Sequence, residues 1–122
     1  MDYRFVEKTP NGFVEWLVDG WQVQRESDAL ELVSACGEYR AQRLLLYADN
    51  LADDFFHLRT GLAGAVLQKL VNYSIKTAMV LTPELINQGR FREMALEANR
   101  GNRHVHFFIE RQLAVDWLVQ EI

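Results

Sequence analysis

The chain has 122 residues, 49% of them hydrophobic, a formal charge of −4 and a pI near 5.3. That size suits one α/β domain spanning residues 1–122, which buries about two-thirds of its unfolded surface. The acidic balance argues against general attraction to nucleic-acid backbones or anionic lipid, and no apolar run reaches membrane-spanning length.

In chain order, Tyr3–Glu7 and Phe13–Val18 are β-prone runs around Pro10-Asn11-Gly12, and Asn-Gly predicts a tight hairpin turn with positive backbone angles. The N-terminal MDYRFVEKTPNG lacks the basic flank and apolar run of a secretory signal, which predicts a cytoplasmic protein. After Asp19-Gly20, Trp21–Arg25 reads as irregular extended chain. Asp28 with Glu31 has the spacing of an acidic N-cap and its reciprocal glutamate, opening a helix whose face is Ala29, Leu32, Val33 and Cys36. Cys36 is the only cysteine, so no intrachain disulfide forms, and its neighbours predict a small buried residue.

Arg43–Ala48 is a short apolar run whose length favours a buried central strand. Residues 49–60 read as a loop or single turn, followed by a helix from Thr60 on which Leu62, Val66, Leu70 and Tyr73 share a face. Lys76–Leu81 is a further buried strand, and Thr82-Pro83-Glu84 is a helix-start signal. Phe91, Met94, Ala95 and Ala98 form a helix face closed by Asn99-Arg100-Gly101, with Gly101 as a left-handed C-cap. Val105–Ile109 predicts the last strand, and Ala114, Trp117, Leu118 and Glu121-Ile122 the last helix. The order ββαβαβαβα implies a mostly parallel central sheet with an N-terminal antiparallel hairpin.

Asp54-Phe55-Phe56-His57-Leu58-Arg59-Thr60-Gly61-Leu62-Ala63-Gly64, continuing through Leu67-Gln68-Lys69 and Asn72-Tyr73, resembles an uncharacterised bacterial family, domain of unknown function 4180. The likeness extends to Asp28-Ala29-Leu30 and to Glu97-Ala98-Asn99-Arg100-Gly101-Asn102, and it implies no particular activity. More distantly, the element order and Thr60-Gly61-Leu62-Ala63-Gly64 resemble the anti-sigma-factor antagonist domains. That resemblance implies a non-enzymatic role in protein interaction, with Thr60 in the place of a phosphorylated hydroxyl. Those domains usually carry an aspartate two residues earlier, where this chain has Leu58.

The residues themselves point to the start of the Thr60 helix. Its first-turn amides lack helical acceptors, the dipole is positive there, and Gly61 and Gly64 admit a close approach. The dipole alone supplies about 0.3–1 kcal/mol, so an anionic ligand needs a side-chain cation, for which Arg59 is adjacent. The simpler alternative is that Thr60 only caps the helix while the glycines allow close packing. Asp54 and His57 are spaced to hydrogen-bond on a turn, with Asp53 alongside. Asn99 and Arg100 offer an amide and a cation in a turn, to a partner carboxylate or an anion. His104 and His106 share a strand face but lack a nameable third ligand, so no metal site and no cofactor are expected. Trp16, Trp21 and Trp117 suggest core or a homodimer interface. The expected partner is an unidentified protein or a small anionic ligand, with no nucleic acid and no membrane.

Overall fold

The computed structural model describes residues 1–101 and 104–120. Its strands are β1 (Tyr3–Val6), β2 (Phe13–Trp16), β3 (Arg43–Tyr47), β4 (Lys76–Val80) and β5 (Val105–Phe108). The helices are α1 (Ala29–Glu38), α2 (Leu62–Asn72), α3 (Pro83–Ile86), α4 (Phe91–Gly101) and α5 (Arg111–Leu118). The strands pair in sequence order β1-β2-β3-β4-β5, antiparallel between the first two and parallel thereafter. Each parallel step needs a crossover, and α1, α2 and α4 supply them. Among the described residues no helix is long and apolar enough to cross a membrane.

Side chains alternate across the strands and so divide the core in two. Val14, Leu44, Leu46, Met79, Val105 and Phe107 point into a large cluster with α1, α2 and α4. Phe13, Leu45 and Ala78 point the other way, onto Ala114, Val115 and Leu118 of α5. No further strand among the described residues follows α5, and this helix covers the face that the crossovers leave open.

Several local expectations are corrected. Asn11 and Gly12 do not adopt positive φ; a six-residue loop joins β1 to β2, with a cis peptide at Thr9–Pro10. Gly12 is needed for close approach, since a Cβ there would lie 2.5 Å from the Phe5 ring and 2.7 Å from the Val6 carbonyl oxygen. Asp28 holds the N-cap position of α1, but its side chain does not cap that helix: the carboxylate turns back to accept from the Gln24 and Arg25 amides at 2.8 and 3.2 Å, closing a 3-10 turn. Gly101 is the last residue of α4 and lies outside the left-handed region. Residues 102, 103, 121 and 122, on which part of the predicted turn and of the last helix fell, lie outside the described residues.

Trp16 and Cys36 are fully buried, and burial pushes the Cys36 thiol up to about 12, so it stays protonated and inert.

Candidate functional site

The chain leaves β3 and makes three 3-10 turns, Ala48–Asn50, Asp53–Phe56 and Leu58–Thr60. Asn50, fully buried, fixes the first: its side chain accepts from the Tyr47 amide at 2.9 Å and donates to the Leu17 carbonyl at 3.2 Å. Phe55 and Phe56 anchor the second, with ring centroids 6.1 and 5.2 Å from that of Phe91, which in turn contacts Phe107. These aromatic contacts tie the loop after β3 to the first residue of α4. His57 and Arg59, between the anchors and α2, are exposed.

The cap of helix α2 lies one residue later than expected, and the helix itself starts at Leu62. Gly61, at φ +77°, holds the N-cap position, where the backbone demands glycine, as it does not at Gly64. Thr60 acts from the preceding position: its Oγ1 accepts from the Leu62 amide at 3.2 Å and lies 2.7 and 2.9 Å from the Asp54 and His57 carbonyl oxygens, to which it donates. Its hydroxyl is therefore committed to closing the turn. Close packing is not what the glycines provide, because a Cβ at Gly61 or Gly64 would meet nothing within 4 Å. The Gly61 and Gly64 side of the first turn of α2 is open surface, while Leu62 and Ala63 are buried.

Beside it lies a cleft of about 690 Å³, walled by His57, Leu58 and Arg59 on one side and Gln88, Gly89 and Arg90 on the other, with Phe56 and Phe91 beneath. Both walls follow the carboxyl ends of adjacent strands, β3 and β4. The lining carries two guanidinium groups and an imidazole and no carboxylate. No hydrogen bond or ion pair of the Arg59 or Arg90 side chain occurs among the described residues. A second hollow of about 780 Å³ lies between α2 and α4 at the amino end of β5, lined by Leu67, Met94, Glu97, Ala98 and His104 among others. Among the described residues its lining has no cationic pair.

The remaining expected residues scatter. His57 pairs with Asp53, Nε2 to Oδ2 at 3.1 Å, because one helical turn places i and i+4 together; Asp54 contributes its carbonyl instead. Asn99 donates to the Phe107 carbonyl at 3.0 Å and accepts from the Phe107 amide at 2.7 Å, a structural tie between α4 and β5. Arg100 stands 3.9 Å from Glu97 in an exposed pair. Both lie toward the far end of α4, about 12–14 Å along the helix from Phe91, so neither joins the cleft. His106 stacks on Trp117 at 4.3 Å while His104 lines the other hollow, so the two histidines diverge. Among the described residues no group of three His, Cys, Asp or Glu could hold a metal.

Sequence reasoning missed the strongest electrostatic cluster. Glu15 on β2, with a side chain only 4% exposed, faces α5 and accepts from Arg111 Nε at 2.9 Å and Nη2 at 3.3 Å. Arg4 Nε and Nη2 donate to its Oε1 at 2.9 and 2.8 Å, and the Tyr47 hydroxyl donates to Oε2. Burial alone would raise the Glu15 pKa, but the hydrogen bonds from Arg111, Tyr47 and Arg4 outweigh it and hold the carboxyl at about 2. Burial, followed by the bond to Glu15, pushes Tyr47 up to about 12. The available signal was a lone acid inside an apolar strand. At the opposite end of α5, Lys76 Nζ donates to the Trp117 and Gln120 carbonyls at 2.6 and 3.0 Å, and Arg43 Nε to that of Leu118 at 2.7 Å.

A parallel sheet with a leading hairpin, three crossover helices on one face and a cationic cleft at its carboxyl edge defines a small single-sheet α/β domain. Residues 11–118 match the family described as a domain of unknown function, DUF4180, and the chain belongs to that family. No curated protein and no solved structure matches it.

Proposed function

We propose that the protein is a non-enzymatic regulatory domain that contacts a partner protein through the open start of α2 and is set by a small ligand in the adjoining cleft. The observation that carries this reading is the junction itself. A cleft of about 690 Å³, within the usual size range of small-molecule sites, shares the Leu58–Thr60 turn with an exposed helix start. A ligand that orders that turn acts on the hydroxyl that closes it and on the amides beyond, so occupancy and partner contact are linked. The non-enzymatic part rests on chemistry: His57 and Asp53 are an exposed pair, and the cleft lining holds no serine, cysteine or threonine nucleophile. The sequence likeness of Thr60–Gly64 to the antagonist domains supports a partner-binding role in the same place.

The test is a thermal-shift screen of neutral and charged metabolites followed by amide-shift mapping. A ligand present at 100 times its Kd adds about 2.7 kcal/mol and raises Tm by several degrees. The expected hits perturb amides in residues 56–64 and 88–91. Hits that map only to the hollow between α2 and α4, or a complete screen without a hit, would remove the cleft from the proposal.

A further inference from the structure

We infer that the ligand of this cleft is a small organic anion, a phosphate or carboxylate joined to an apolar body, clasped between Arg59 and Arg90. The inference rests on the cleft being the ligand site and adds the chemistry of what enters it.

Charge selects the class. The protein as a whole is acidic, yet this lining gathers Arg59 and Arg90 with no carboxylate among its residues, His57 being paired with Asp53 beside it. Among the described arginines, Arg4 and Arg111 share Glu15, Arg43 caps α5 and Arg100 lies near Glu97, whereas Arg40 and Arg92, like Arg59 and Arg90, make no side-chain ion pair; Arg59 and Arg90 are the two of these that line the cleft. Arg59 and Arg90 find no acceptor among the described residues, and they come from two loops that the Phe56–Phe91 contact holds together. Two guanidinium groups lining one cleft can both donate to a single oxyanion that enters it. The planar five-donor guanidinium is suited to phosphate and carboxylate alike. Arg90 immediately precedes α4, so an anion held there also meets the positive end of an 11-residue helix.

Size and lining set the rest of the molecule. About 690 Å³ exceeds the needs of a bare oxyanion, and Leu58, Phe56, Phe91 and the stems of the arginines give the remainder an apolar floor and walls.

Titration of the whole protein with phenyl phosphate, benzoate, inorganic phosphate and neutral benzyl alcohol, followed by amide shifts, separates the possibilities. The expected result is that phenyl phosphate and benzoate move the amides of residues 56–59 and 88–91 and bind at least about tenfold tighter than benzyl alcohol. Arg59→Gln and Arg90→Gln, both at exposed positions, each weaken the two anions at least about fivefold with Tm of the free protein unchanged. Roughly 0.5 M salt weakens them further. Equal binding of benzyl alcohol overturns the anion class while leaving the cleft as the ligand site. Inorganic phosphate binding as tightly as phenyl phosphate overturns the apolar body. Unchanged affinity in both arginine variants, or no shift with either organic anion, overturns the inference outright.

Discussion

Glu15 shows how one buried charge is made tolerable. A single carboxylate meets two guanidinium groups and a phenol, and because both arginine Nη2 atoms approach the same Oε1 they lie within about 6 Å of each other. Arg4 and Arg111 are 59% and 42% exposed, so removal of the carboxylate leaves them partly hydrated and the loss is moderated. Glu15→Gln is expected to cost about 1–3 kcal/mol at neutral pH, measured by urea unfolding. The pH dependence follows from the direction of the shift. The folded pKa of about 2 lies below the ordinary 4.5, so between those values the unfolded chain takes up a proton that the folded protein does not. The Glu15 contribution is complete above about pH 4.5 and is lost as pH falls toward 2. Unfolding measured at stepped pH should show this slope in the wild type and a shallower one in Glu15→Gln.

At the scale of elements, α5 is held at both ends and by its apolar face. Arg111 ties its first residue to Glu15, while Arg43 and Lys76 satisfy the carbonyls at its close, where cations are favoured by the helix dipole. Lys76→Met removes the donor to the Trp117 and Gln120 carbonyls and the ammonium 4.4 Å over the Trp117 ring. Amide exchange in residues 111–118 is expected to quicken several-fold while β3 and the helices on the other face keep their protection. The order of these elements was legible because hydrophobic spacing is local: Leu62, Val66 and Leu70 repeat along α2 as they do in space. His57 and Arg59 were found for the same reason, since both lie in one loop. Arg90 was not, because it reaches the cleft only through the packing of Phe91 on Phe55 and Phe56. That Asn99 and Arg100 stand apart from the cleft was not legible, because composition reveals a polar turn and not the end of the sheet to which an antiparallel helix carries it.

At the scale of the molecule, strands laid down in sequence order leave no reversal point of the kind that opens a crevice in doubly wound sheets. The cleft arises instead where the loop after β3 leans on the segment before α4. Strands in this order also leave the sheet two borders, β1 and β5. The Asn99 amide occupies both backbone groups of Phe107 on the outer side of β5, and a border so occupied offers no template to an incoming strand. Any edge-to-edge joining of copies must therefore use β1, and a tile with one joinable side can pair but cannot extend into a fibre. Asn99→Ala frees the Phe107 groups and is expected to turn a light-scattering profile that stops at two copies or fewer into one that keeps growing with concentration.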